Sequence, residues 1–276
     1  MKRRIIFRWL KVIIIIYCTI GIALYYLQEK FLFHPEKLSN AYVYHFPPGP
    51  AGKASFEEIN IPFNDTDTLN MIKFFPEDSV RKGVVIYFHG NKENIERYAN
   101  FASNFTKHGY EVWMEDYPGF GKSTGERTEQ KMYAQALQVQ KMAAAKYGKD
   151  SIILYGKSLG TGIAGYVASE SVNQRLILET PYYSIPSLFS CYAPIYPTGK
   201  MSNYKIPLYQ FLADVKYPVT IFHGTDDGII PYRNAARLKQ VLKPTDEFIT
   251  IEKGTHHNLN DFDLVKKKLD SLLNLR

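Results

Sequence analysis

Cysteine is nearly missing: Cys18 and Cys191 are the two in a chain of 276 residues. They lie far apart and one sits inside a long apolar run, so no disulfide framework organises the fold. Internal repeats and low-complexity tracts are also lacking, which leaves one large α/β domain, or two small ones, with an ample core. The folded part lacks charge of one sign. Residues 1–30 carry +5 of the net +7, whereas the other 246 residues hold 28 basic and 26 acidic side chains. A nucleic-acid binder concentrates its basic face in its folded domain. Nucleic acid is thereby excluded as a partner, and the basic N-terminus points to a membrane.

Charge is absent altogether from Val12 to Leu27, after Lys2, Arg3, Arg4, Arg8 and Lys11. Counted from Trp9, whose indole suits an interface, the span to Leu27 has nineteen residues, Lys11 among them. As a helix it would measure roughly 28 Å, close to the hydrocarbon thickness of a bilayer. A cleaved signal would end on small residues, but "GIALYYLQEK" offers bulky aromatics. A buried core helix would not need the preceding basic cluster. The expectation is an uncleaved single-pass anchor over 1–30. Its N-terminus is expected in the cytoplasm and the rest of the chain on the non-cytoplasmic side: periplasm, lumen or exterior. Two N-x-[ST] sequons, at Asn64 and Asn104, carry weight only in a glycosylating compartment.

Residues 31–56 read as an irregular tether that packs on a domain spanning 57–276. "EEINI" and "LNMIKFF", separated by "NDTDT", predict an edge hairpin. Apolar runs then alternate with helix-length segments. Strands are expected at 83–90, 111–117, 151–156, 175–180, 217–224 and 247–252, with helices at 92–108, 129–147, from Ser158, at 231–242 and at 259–272. Alternation of this kind predicts a mostly parallel sheet with helices on both faces. Residues 181–214, rich in Tyr and Pro, break the rhythm and read as an irregular insertion over one end of the sheet.

The stretch "YGKSLGTGIAG", Tyr155–Gly165, admits three chemistries. A phosphate-binding loop needs glycine five positions before Gly156, where Ser151 stands; "YPGFGKSTG" fails likewise at Asp116. A dinucleotide site could use Gly160, Gly162, Gly165 and the acid Glu179, but those glycines fall inside the helix and not at the strand–helix turn. Small residues there let the helix approach the sheet closely. In the third reading, Gly156, Ser158 and Gly160 form GxSxG, a sharp turn that exposes a nucleophilic serine.

A serine hydroxyl needs a base, and the base an orienting carboxylate, in chain order Ser, Asp or Glu, His. After Ser158 the histidines are His223, His256 and His257, and Asp226 and Asp227 follow the strand 217–224. The loops carrying them emerge at the C-terminal edge of a parallel sheet, where α/β enzymes bind ligands. Oxyanion donors are expected from the backbone N–H of Leu159 and of Asn91, with Gly90 permitting an unusual backbone and His89 holding that loop by hydrogen bonds. Asp116 and the loop to Gly125 are expected at the rim of the site.

These motifs together resemble an α/β-hydrolase of the membrane-anchored, small-lid branch, related to serine aminopeptidase-like and monoacylglycerol-lipase-like proteins. The resemblance rests on HGN at 89–91, "DYPGFGKSTG" at 116–125, GKSLG at 156–160, "PYYS" at 181–184, "HGTDDGIIP" at 223–231 and HHN at 256–258. It implies an α/β-hydrolase fold with an eight-stranded sheet and a short lid at 181–214. It also implies a triad of Ser158, Asp227, four residues after His223, and His257, directly before Asn258, with Asp226 and His256 as alternates. Lys157 departs from the aromatic, His or Gln usual in such elbows, which bears on the electrostatics of the site. The expected activity is cleavage of a small-molecule or lipid acyl ester or thioester through an acyl-enzyme, with no metal or cofactor. Peptidase or amidase action on the same fold, and a non-catalytic binding protein, are the alternatives.

Overall fold

The chain is described by a computed structural model over residues 2–46, 56–76 and 81–274. It opens with α1 (Lys2–Leu32), a helix of 31 residues that continues past the charged Glu29 and Lys30. Its 18-residue apolar window has a mean hydropathy of 2.1 and no buried residue, so it is long and apolar enough to cross a membrane. The segment that follows is more ordered than a tether. β1 (His34–Pro35) pairs in parallel with β5 (Lys92–Glu93), Lys37 bridges Gly121, and Tyr44 is buried with its hydroxyl on Asn70 Oδ1 at 3.0 Å. Residues 47–55 of the expected tether lie outside the described residues.

The hairpin β2 (Phe56–Pro62) and β3 (Thr68–Phe74) forms as its alternating pattern predicts. β4 (Gly83–Phe88), β6 (Tyr110–Glu115), β7 (Ile152–Lys157), β8 (Arg175–Glu179), β9 (Val219–Gly224) and β10 (Glu247–Ile251) complete one eight-stranded sheet. Its order is β10-β9-β8-β7-β4-β6-β3-β2; β3 runs antiparallel to both its neighbours, β2 and β6, and the other neighbours are parallel. β4, β6, β7 and β9 are buried along their whole length, because helices cover both faces and a run such as "GVVIYF" has no solvent side to alternate with.

One face is covered by α4 (Glu129–Tyr147) and α5 (Gly160–Glu170). Thr128 caps α4 by accepting from Lys131 N, and Met132, Ala136, Val139 and Ala143 form its buried stripe. The expected helix over 92–108 is broken into α2 (Ile95–Tyr98), a 3-10 turn and α3 (Ser103–Thr106). Glu93, held at φ 57 and paired with β1, and the Asn94 cap delay its start. The insertion is helical where irregular chain was expected: α6 (Ile185–Tyr192), α7 (Thr198–Met201) and α8 (Leu208–Asp214). Three of its five prolines stand at helix starts, where a missing N–H costs nothing: Pro186 in the first turn of α6, Pro197 and Pro207 before α7 and α8. After β9 come α9 (Tyr232–Ala235) and a 3-10 turn, and after β10 the closing helix α10 (Asp263–Asn274).

Candidate active site

The strand register brings four loops to one edge of the sheet. Phe88 pairs with Gly156, Lys157 with Glu179, Glu179 with Phe222, and Gly224 with Ile251. The segments beginning at His89, Ser158, Thr225 and Glu252 therefore leave the sheet side by side.

Ser158 turns between β7 and α5 with φ 53, a left-handed conformation that a side chain adopts only under constraint. The constraint is visible: its N–H donates to Glu179 O at 2.9 Å, and its carbonyl accepts from Thr161 N at 3.0 Å and Thr161 Oγ1 at 2.6 Å. Neighbouring side chains have no room. A Cβ on Gly156 would stand 2.6 Å from Gly160 O, and one on Gly160 would stand 2.0 Å from Phe88 O. Both obstacles are backbone, so Gly160→Ala is expected to cost about 3 kcal/mol, the upper end for overpacking, read as a lowered midpoint in thermal unfolding. Gly162 and Gly165, by contrast, make room for Tyr182, Ile206 and Leu208. They admit the insertion and α8, not a cofactor.

His256 Nε2 lies 2.9 Å from Ser158 Oγ, and its Nδ1 lies 2.8 Å from Asp227 Oδ2. A carboxylate only accepts, so Nδ1 carries the proton and Nε2 is left to accept from the serine hydroxyl. Asp227 Oδ1 accepts from Ile229 N at 2.8 Å and Ile230 N at 2.7 Å. Burial pushes this carboxyl up, but the His256 hydrogen bond and charge and the Ile230 N–H outweigh it and leave the pKa below the usual range. Asp226 is exposed, its carboxylate on its neighbour Thr225. His223 is fully buried with Nε2 on Ile230 O at 2.9 Å, and burial lowers its pKa. It stays neutral and holds the Asp227 loop.

The imidazole in this relay is that of His256, where His257 was expected. Asn258, the landmark for that expectation, folds back to accept Thr255 N at 2.7 Å. That closes a turn which sends the His256 ring inward and leaves His257 exposed, edge-on to it at 5.1 Å. Partial desolvation, then the electrostatic influence of neighbouring His256 and of the Lys157, Lys92 and Arg97 charges, lowers the His257 pKa.

Leu159 is the N-cap of α5 and makes no side-chain cap bond, and the helix has no acidic residue in its first turn. Thr161 N and Gly162 N donate to the carbonyls of Ser158 and Leu159, and no side-chain cap takes the N–H groups that precede them. Asn91 lines the same cavity as Ser158 and Leu159, and its side-chain Nδ2 donates to Leu32 O, the end of α1, at 2.9 Å. Gly90 does not need an unusual backbone; it is glycine because a Cβ would meet the Tyr98 hydroxyl at 2.7 Å. His89 is fully buried, Nδ1 on Gly90 O at 2.7 Å and its own carbonyl accepting from Tyr117 OH at 2.7 Å. The loop 116–123 lies buried behind this segment, not at the rim: Asp116 Oδ1 accepts from Ile95 N at 3.0 Å.

Lys157 finds its counter-charge on the adjacent strand. Glu179 is fully buried and takes hydrogen bonds from Lys157 Nζ, Tyr155 OH and, at 3.2 Å, Asn260 Nδ2. An acid so enclosed has no face for a ribose, which removes the dinucleotide reading. Sequence reasoning missed Asn260, which ties the His256 loop to the elbow strand, and Gln28, the polar residue near the end of α1 that fastens the insertion. A polar amide directly at the end of the apolar run was the available signal for Gln28.

Two hollows flank Ser158. One, of about 490 Å³, is walled by apolar side chains of α1 and the insertion. The other, of about 390 Å³, is lined by Lys92, Arg97, Lys157 and His257.

A family model described as "Serine aminopeptidase, S33" matches residues 79–210, a stretch that includes Asn91 and Ser158 and stops short of Asp227 and His256. The chain is 27% identical over 194 residues to the alpha/beta hydrolase domain-containing protein aho-3 of Caenorhabditis elegans, covering 68% of this chain and 55% of that protein. It is 28% identical over 224 residues to human protein ABHD12B, covering 66% of this chain and 58% of that one. The chain thus spans little more than half the length of these two relatives. The esterase Pf2001 of Pyrococcus furiosus superposes with a TM-score of 0.67 at 16% identity, over 88% of this chain and 96% of its own. Together with the eight-stranded sheet and the serine elbow, these likenesses show that the chain has the α/β-hydrolase fold.

Proposed function

We propose that the chain is a membrane-anchored serine hydrolase that cleaves a carboxylic ester or thioester of an acyl chain. The unbroken relay from Asp227 through His256 to Ser158, with spacings of 2.8 and 2.9 Å, carries this reading. Ser158 Oγ attacks the acyl carbonyl carbon while its proton passes to His256 Nε2. Asp227 keeps the Nδ1–H tautomer and stabilises the imidazolium. The N–H groups of Leu159 and Asn91 receive the oxyanion. As the carbonyl re-forms, the alcohol or thiol leaves with the proton from His256, and the acyl group stays on Ser158. Water then gives its proton to His256, attacks the acyl-enzyme and releases the acid, and the proton returns to Ser158.

Ester is favoured over peptide because the larger hollow beside Ser158 is apolar along nearly its whole lining and, among the described residues, has no charged side chain to recognise a peptide terminus. The basic residues before Val12 support an N-terminus in the cytoplasm and a catalytic domain across the membrane. The test uses the full chain in detergent. A fluorophosphonate should label the wild type and not Ser158→Ala, and p-nitrophenyl acyl esters should be hydrolysed by the wild type alone. Equal labelling of both proteins, or labelling of neither, discards the mechanism.

A further inference from the structure

The hollow that meets Ser158 has one wall made by α1. Leu24, Gln28 and Phe31 face it from the helix, and Leu188, Tyr196 and Met201 face it from the insertion. The two walls are fastened at two levels. Near the domain, Gln28 Nε2 donates to Met201 O at 3.2 Å and Gln28 Oε1 accepts from Asn203 N at 2.7 Å. Further along the helix, Tyr17 and Tyr196 stack at 4.6 Å and 7°, and each hydroxyl bonds a backbone carbonyl across the seam, Tyr17 OH to Ile195 O and Tyr196 OH to Tyr17 O. Gly21 permits this approach, since a Cβ there would stand 3.0 Å from the Tyr196 ring.

Tyr17 and Gln28 are eleven residues apart, roughly 16 Å along the helix axis and half of a hydrocarbon core. Tyr17 falls within the uncharged stretch of α1, and Gln28 stands directly at its end, before Glu29. If that stretch lies in lipid, so does the tip of the insertion, and its side chains fit that setting: Ile195 is 70% and Tyr192 60% exposed. A soluble domain would expose such a cluster only at a cost.

We infer that α1 forms one wall of the acyl-chain subsite as well as an anchor, and that the substrate is a bilayer-resident ester with a single acyl chain. The chain enters laterally, from the lipid, along the seam between α1 and the insertion. This rests on the serine-hydrolase reading above. A volume of about 490 Å³ is that of a site for one small ligand or one chain. With the carbonyl at Ser158, the alcohol half of the ester lies in the hollow of Lys92, Arg97 and His257, on the polar side. The released acid returns to the bilayer and the alcohol leaves to water.

Leu24→Trp narrows the seam, and Ile22→Trp, at a position 59% exposed and outside the hollow, controls for a bulky residue on the same helix. With full chains in mixed micelles, kcat/KM for p-nitrophenyl palmitate relative to p-nitrophenyl acetate should fall at least tenfold in Leu24→Trp and stay within twofold in Ile22→Trp. An unchanged ratio in both, or an equal fall in both, overturns the inference. A second measurement needs no variant: a hexadecyl fluorophosphonate with a terminal diazirine, bound to Ser158 of the wild type, should photo-crosslink within 17–32 or 185–203. Crosslinks confined to other segments also overturn it. A wild type that fails to react with any fluorophosphonate sinks the hydrolase reading itself, a result separate from a reactive enzyme with the wrong crosslinks.

Discussion

Replacing His256 with Gln should lower kcat on a soluble p-nitrophenyl ester by about 10⁴- to 10⁶-fold, whereas His257→Gln should retain activity within about tenfold. The two side chains are neighbours of the same chemical type, so composition, loop position and helix docking are matched between the variants. They differ in geometry. His256 Nε2 and Nδ1 are both engaged, at 2.9 Å to Ser158 Oγ and 2.8 Å to Asp227 Oδ2. His257 is exposed and stands edge-on to the His256 ring, with no hydrogen bond to Ser158 or Asp227 among the described residues. Because the members of such a relay act as a unit, Ser158→Ala combined with His256→Gln should be no slower than either alone. Asp227→Asn should lose about 10⁴-fold, since an amide that donates to Nδ1 enforces the wrong tautomer. Single-turnover kinetics on the five variants, Ser158→Ala alone included, would check the set. A His257→Gln loss as large as that of His256→Gln would reassign the base.

Much of this arrangement was legible in the chain. Buried parallel strands announce themselves as uninterrupted apolar runs, and "GVVIYF", "SIILYG" and "YPVTIFHG" could hardly be anything else in a sequence with helix-length spacers between them. GxSxG at a strand–helix turn pointed to Ser158, while the strand before "TDDG" left Asp226 and Asp227 open and only the family resemblance chose between them. The choice between His256 and His257 was not legible. It depends on which way a four-residue turn faces, and that is decided by the Asn258 side chain closing on Thr255 N, an interaction that no periodicity encodes. The partnership of α1 with the insertion was hidden for another reason. A helix apolar on every side carries no stripe from which a docking face could be read, so an anchor and a pocket wall look alike. The helices of the insertion were masked by prolines and tyrosines that suggest loops, although Ser184 and Pro186 stand where a helix start wants them. Lys157 and Glu179 stood in plain view as charges, but their pairing exists only because β8 lies beside β7 in register.

That pairing should carry a large share of the stability of the elbow. Glu179 is enclosed on all sides and receives Lys157, Tyr155 and Asn260. Its backbone carbonyl also accepts the N–H of Ser158. Glu179→Gln removes the charge while nearly keeping the volume, and so leaves the Lys157 ammonium buried without its counter-ion. Breaking one partner of a buried pair costs about 3–5 kcal/mol, and that is the loss expected in thermal or urea unfolding of the full chain at neutral pH. The pH dependence has a definite sign. Burial pushes the Glu179 carboxyl up, but the Lys157 charge and the three side-chain hydrogen bonds outweigh it and hold the pKa below the usual range. A carboxyl so depressed adds its stability above the ordinary glutamate pKa of about 4.3 and loses it as pH falls through the folded value. The gap between wild type and Glu179→Gln should therefore be full at pH 7 and close in acid. Lys157→Met with Glu179→Leu should regain part of the loss, since two apolar side chains replace the pair, but not all of it, because Tyr155 and Asn260 are left without an acceptor. The same double variant should still slow the enzyme, because Asn260, four residues beyond His256, no longer ties the base's loop to the elbow strand. A Glu179→Gln protein within about 1 kcal/mol of wild type would mean that water, not protein, already satisfies Lys157, and the pair would then be a passenger of the fold.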